Sequence, residues 1–215
     1  MAPTQLSIVN KALGHISIAP IGSMAEASPA AVLATQIWDS CRQEVLKGHD
    51  WSFATAIVTL STANYTIVAT DWQYAYQYPS TALEVWHVYY TAQDRKQDFR
   101  VVYDPVNTAK VILSNVPDAV GEFTYDQSSP TLWDANFVSV LSYFLAANMA
   151  KPLTGDANLA DTLIKMYNAY MSDAERMSAY EAGGPSTPQS AFVDARDGST
   201  LTSDDHYVAV RHPNG

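Results

Sequence analysis

The first periodic stretch, QLSIVNKALGH at 5–15, puts Leu6, Val9 and Leu13 on one helical face, with Ile8 and Ala12 beside them. It predicts a short helix closed at Gly14. ISIAPIGSMAEAS follows without a period but with apolar anchors at Ile16, Ile18, Ile21 and Met24, which predicts a loop lying against the core. Ser28 to Phe53 is the strongest stretch. Ser28 can cap an orphan N–H, and Pro29 sits where its missing N–H costs nothing. Leu33, Ile37, Cys41 and Val45 then recur at helical spacing, widened by Ala34 and Trp38, while Asp39, Arg42, Gln43 and Lys47 fall mostly off the stripe. Gly48 stands where a left-handed residue closes a helix.

From Trp51 the period changes to two. WSFATAIVTL and NYTIVAT read as strands, and WQYAYQY places Trp72, Tyr74, Tyr76 and Tyr78 on one strand face. ALEVWHVYYTA alternates Leu83, Val85 and His87 against Glu84, Trp86 and Val88; FRVVYD, AKVILSN and GEFTYD are further short strands separated by turn signals. Pro130 opens a second helical block. Trp133, Phe137, Val140, Leu141, Phe144, Leu145 and Met149 form a stripe wide enough to predict a helix buried on much of its circumference. A hinge is expected at 151–155, with Pro152 and Gly155. A long helix capped by Asp156 then presents Leu159, Leu163, Met166, Tyr167, Tyr170 and Met177 on its apolar side.

This order predicts an α+β fold. A four-helix body is drawn from 1–50 and 130–182, and an antiparallel β-sheet or small β-barrel domain is inserted at 51–129. The remaining 183–215 form an extended C-terminal tail or arm, rich in Gly, Ser, Thr, Pro and Asp. Its spaced apolar groups, Phe192, Val193, Leu201, Tyr207, Val208 and Val210, cannot fold alone and predict ordering on a partner, for example by adding a strand to a sheet edge.

Charge narrows the function classes. The chain carries 12 basic and 22 acidic side chains, a net charge of −10, which disfavours a protein that holds nucleic acid by neutralising phosphates. It leaves room for a surface that DNA slides past. No apolar run is long enough to span a membrane, and the start, MAPTQLSIVN, lacks a signal-peptide pattern, so a cytosolic origin is expected. The one cysteine, Cys41, excludes an intramolecular disulfide and reads as a small buried hydrophobe.

Candidate chemistry is sparse. His15, His49, His87, His206 and His212 show no HxH or HxxxH spacing for a metal. Cys41 and His49 lie two turns apart across a helix end, an awkward placing for a nucleophile pair. No GxSxG, GxxxxGK[ST] or GxGxxG occurs, and Asp194, Asp197, Asp204 and Asp205 match no EF-hand loop. The expectation is a non-enzyme with no metal or cofactor. The 13 tyrosines and 5 tryptophans suit core and subunit-interface packing first, and a carbohydrate-binding module using the aromatic-rich strands, with Trp72 and Tyr76, second.

Two segments carry a family likeness. Positions 12–56, ALGHISIAPIGSMAEASPAAVLATQIWDSCRQEVLKGHDWSFATA, run from a short helix through an apolar-proline loop to an alanine-rich helix. That helix carries Arg42, Val45 and Leu46 near its end, ahead of Trp51-Ser52-Phe53. Positions 132–181 are paired helices with a proline break and an acid-rich second member. In both, the chain resembles the head-to-tail adaptor proteins of short-tailed bacteriophages (podophages), the tail tubular protein A family. About half the chain carries the likeness; the middle strands match in character and the tail in position.

The resemblance implies a structural virion protein made in the host bacterial cytoplasm and placed at the head-tail junction. Copies of this chain would form a ring, generally a dodecamer, beneath the portal protein. The ring would extend the DNA channel, through which genomic DNA passes without sequence-specific binding, and would be the docking platform for a tail nozzle protein resembling tail tubular protein B. The family's C-terminal segment embraces the portal, which assigns portal binding to Phe192, Val193, Leu201, Tyr207, Val208, Val210 and Arg211. An acidic lumen would let DNA pass, since a basic lining retains it. Trp38, Gly48, Trp51 and Phe53 are expected to form the structural junction between helices and strands, with Trp38 and Trp51 mattering most for the fold.

Overall fold

The computed structural model describes residues 2–66, 71–90 and 95–181. Its first helix, α1 (Gln5–His15), begins with a reciprocal cap between Thr4 and Ser7 and buries Ile8, Val9, Ala12 and Leu13. Gly14 does not end it; the chain reverses one turn later, where Ser17 takes φ 58°. The Asn10 side chain then pins the following loop, accepting from Ile21 N at 2.9 Å and donating to Ile21 O at 3.0 Å.

Helix α2 (Pro29–Lys47) starts as expected, with Ser28 Oγ accepting from Ala31 N at 3.4 Å and proline in the first turn. Its buried face is Ala30, Ala31, Ala34, Trp38, Cys41, Val45 and Leu46, whereas Leu33 and Ile37 sit half-buried at its margin. The face turns toward the alanines because small side chains let neighbouring helices approach closely. Two expectations fail here. Arg42, placed off the stripe, is 3% exposed. Gly48 is right-handed (φ −71°, ψ −19°), so conformation does not require glycine. Space is tight instead: a Cβ there would lie 3.1 Å from Met171 Cε, at the far end of a flexible side chain.

After a 3-10 turn at Ser52–Ala54 come β1 (Thr55–Thr59), β2 (Tyr74–Gln77), β3 (Ala82–Tyr90), β4 (Arg95–Gln97), β5 (Phe99–Asp104), β6 (Ala109–Ser114) and β7 (Ala119–Tyr125). They form two sheets, β1-β7-β3-β4 and β2-β6-β5, with every pairing antiparallel. The sheets join at both margins. Only Asp98 separates β4, in one sheet, from β5, in the other. On the opposite side the chain leaving β1 runs along β2, with Gln77 N donating to Ser61 O and Ala63 N to Ala75 O, both at 2.8 Å. The circuit β1, β7, β3, β4–β5, β6, β2 thus returns to the continuation of β1 and makes a small barrel.

Leu60, Tyr76, Val85, Val88, Ile112 and Phe123 fill the barrel interior. The Tyr76 hydroxyl donates to Val116 O at 2.5 Å, so the buried ring keeps its polar end satisfied. Gly121 is needed for room: a Cβ would fall 2.7 Å from Leu60 Cδ2. The simple alternation expected in β3 breaks because the register against β7 shifts between Val85 and His87, which buries both Val85 and Val88. Trp72 leaves the row assigned to it and packs with Ala75, Val111 and Leu113 outside the barrel. Residues 64–66 of NYTIVAT are not a strand, and 67–70 lie outside the described residues. The short polar β4 gives no apolar pattern in the sequence.

The second helical block opens with a 3-10 turn at Pro130–Leu132. Helix α3 (Ala135–Thr154) is the central rod, lined by α1 and α2, and it buries Phe137, Val140, Leu141, Leu145, Ala146, Met149 and Ala150 among others. It runs through Pro152 and stops at Gly155, where φ is +74°, so the hinge is Gly155 alone. Helix α4 (Ala157–Glu181) begins at the expected cap, with Asp156 Oδ1 accepting from Leu159 N at 3.1 Å. Its buried line is Leu163, Met171 and Ala174, flanked by Leu159, Ala160 and Tyr167. Met166, Tyr170 and Met177, expected on that side, are 46%, 40% and 50% exposed because the packed face is rotated away from them.

Candidate functional site: the helix–barrel junction and the open faces

The chain enters the barrel at Trp51–Thr55 and leaves it at Tyr125–Trp133, and both crossings are fastened to α2 and α3. At the entry, α2 stops and Trp51 turns inward. The indole is 3% exposed and donates to Val45 O, on the last turn of α2, at 3.1 Å. Phe137 of α3 meets it edge-on at 5.1 Å between centroids, and Phe53 meets Phe137 at 5.1 Å. Trp133 joins Phe137 at 5.0 Å and stacks over Trp38 of α2 at 6.0 Å. The rings therefore run Trp38, Trp133, Phe137, Trp51, Phe53 across three segments of chain, in the edge-to-face and offset geometries that aromatic pairs favour. Thr55 Oγ1 donates to Trp51 O at 2.7 Å and also bonds Asp50, which fixes the start of β1.

At the exit, Arg42 reaches from α2 to the end of β7. Its Nη1 bonds Asp126 Oδ1 and donates to Gln127 O at 3.2 Å; Gln43 Nε2 donates to Asp126 Oδ2 at 3.0 Å. Trp133 Nε1 donates to the same Gln127 carbonyl at 3.2 Å. Asp39 gives Arg42 a longer contact of 3.4 Å, and Arg42 Nε is buried without a hydrogen-bond partner. One guanidinium nitrogen shared between a carboxylate and a carbonyl, with Gln43 on the other carboxylate oxygen, locks a helix to a strand end.

The four expected junction residues are therefore in place but not all together. Trp51 and Phe53 share Phe137, Trp38 joins through Trp133, and Gly48 stands apart against Met171. Sequence reading overlooked Arg42, Asp126, Phe137 and Trp133 as junction groups. A signal for Arg42 exists: it lies one residue after Cys41, with Val45 and Leu46 at i+3 and i+4, inside the buried arc of the helix. The arm residues Phe192, Val193, Leu201, Tyr207, Val208, Val210 and Arg211 lie outside the described residues.

Burial and the nearby Glu44 push the Cys41 thiol up to about 11, the opposite of an activated nucleophile. Burial holds His49 below its ordinary value against Glu175 and Asp50, and it holds His15 down with help from Lys11. His15 Nε2 lies 3.1 Å from Ser142 Oγ, and its ring stacks on Tyr143 at 4.1 Å. Among the described residues no group of three or more His, Cys, Asp or Glu side chains could hold a metal ion, and no helix is long and apolar enough to cross a membrane.

Two open faces stand out among the described residues. Along α4, Met166, Tyr170 and Met177 form an exposed apolar edge beside α3, and Tyr170 stacks on Tyr143 at 4.8 Å. On the outside of the β2-β6-β5 sheet, two clefts of about 300 and 370 Å³ share Asn64, Asp104 and Asn107. Within the tyrosine row, Tyr76 is 1% exposed inside the barrel and presents no ring to a ligand. No family model matches the chain, and no curated protein matches it.

Proposed function

We propose that this protein is a ring-forming head-to-tail adaptor of a short-tailed bacteriophage, docked beneath the portal. The observation that carries the reading is where the family-like segments lie. Both family-like segments, 12–56 and 132–181, far apart in sequence, contribute residues to one core, the second through Ala174, in which Trp51 and Phe53 meet Phe137. A rigid helical body with a barrel fastened at both crossings suits a part that transmits load along a channel and has no chemistry to perform. The exposed edge of α4, with methionines and a tyrosine, suits one of the two different faces that a closed ring subunit needs. A net charge of −10 suits a lumen that DNA passes through without being held.

In this reading the partners are further copies of the chain, the portal and a tail nozzle, and the C-terminal arm at 183–215 supplies the portal contact. Deleting 183–215 is expected to leave the circular-dichroism spectrum and melting cooperativity of the rest intact while abolishing portal docking in a pull-down. Portal binding by the truncated protein at the strength of the full chain would remove the arm from the account.

A further inference from the structure

The groove outside the β2-β6-β5 sheet is built from groups with no part in the junction. Its floor is the outer face of β2 and β6, its far wall the turn between β5 and β6, and its near wall the segment at 63–66. The walls are tied across the groove: Asn107 Nδ2 donates to Asn64 O at 3.0 Å and to Asp104 Oδ2 at 2.7 Å. Asp104, 3% exposed, also accepts from Val106 N at 2.9 Å through Oδ1, and these bonds hold its carboxyl below the usual carboxylate range. Gln77, exposed, is anchored to Thr62 O at 3.2 Å, and Lys110 lies 5.0 Å over the Tyr78 ring. Tyr65, half-buried, lines the second cleft.

This composition selects a ligand class. One carboxylate and one ammonium cancel, so the groove offers no net field for a phosphate, and a lone carboxylate is too few ligands for a calcium ion. What remains are amides and a fixed carboxylate beside an aromatic ring, in clefts of about 300 and 370 Å³ that fall at the lower end of small-molecule sites. Amides bond neighbouring hydroxyls in pairs, and a tyrosine face accepts the apolar side of a sugar ring. We propose that this groove binds a neutral saccharide, with Asn64, Gln77 and Asn107 bonding its hydroxyls, the buried Asp104 fixing Asn107 in place, and Tyr65 stacking on it. The inference does not depend on ring assembly or portal docking.

Calorimetric titration of the full chain with maltohexaose, chitohexaose and a galactose hexasaccharide tests it. At least one is expected to give saturable binding at millimolar sugar. Asn107→Ala and Gln77→Ala should each weaken that binding by about tenfold, the loss of one or two neutral hydrogen bonds. Asn107→Ala also loosens the turn, whereas Gln77→Ala changes one exposed side chain and keeps the test sound. The proposal is overturned if none of the three sugars binds, if both variants bind like the parent, or if inorganic phosphate binds in their place.

Discussion

Trp51→Ala is expected to destabilise the protein by about 4 kcal/mol, in the middle of the range for truncating a buried aromatic. The indole is 3% exposed, and its removal leaves a void bounded by Phe53 and Phe137 that the end of α2 and the start of β1 cannot close without parting. Val45 O also loses its bond from Nε1, while Gly48 N still donates to it at 3.3 Å. Trp51→Phe should recover about half the loss by refilling most of the volume while still leaving the carbonyl short. Urea unfolding followed by circular dichroism measures both. A loss under about 1.5 kcal/mol for the alanine variant would show that the aromatic chain is not what fastens the barrel to the helices.

The second large effect lies at the barrel exit and has a characteristic asymmetry. Asp126→Ala is expected to cost about 3 kcal/mol, because it strands the Arg42 guanidinium in a site where that residue is 3% exposed. Asp39 cannot replace the lost partner, being 79% exposed and 3.4 Å away. Arg42→Met, which removes the buried charge and fills its space, should cost only about 1 kcal/mol, since Asp126 is 33% exposed and can hydrate. The expected order is thus the reverse of residue size. Equal costs, or a larger one for Arg42→Met, would mean that the pair contributes through packing and not through charge.

Much of this architecture was legible in the sequence, for reasons the structure makes concrete. Ser28 and Asp156 announced helix starts because a capping oxygen acts within three residues of itself, so the signal is local. The barrel strands were legible wherever both flanking strands exist. Residues 64–66 of NYTIVAT carry strand-forming residue types yet are not a strand, because such types carry no information about whether a partner strand is present, and 67–70 lie outside the described residues.

The misplaced faces share one cause. Periodicity gives the direction of a helix's apolar arc but not which neighbours will cover it. In α2 the packed side rotated onto Ala30, Ala31 and Ala34, and in α4 it rotated away from Met166, Tyr170 and Met177. The junction was half legible: Trp51 and Phe53 stand out as an aromatic pair after a helix stop. Arg42 with Asp126 could not be paired, because their separation of 84 positions places a whole barrel between the two charges. Gly48 ends the helix without a left-handed turn, so its conformation leaves no reason for the residue to be glycine, and only the tight approach of Met171 Cε bears on the choice.

The central claim, that copies of this chain close into a ring beneath a portal, is tested most directly by the mass of the assembly formed when the purified full-length protein is mixed with its portal. Sedimentation velocity, with electron microscopy of the same sample, should show portal-bound rings of about twelve copies. A protein that sediments as a monomer at every concentration and leaves the portal peak unchanged would contradict the account.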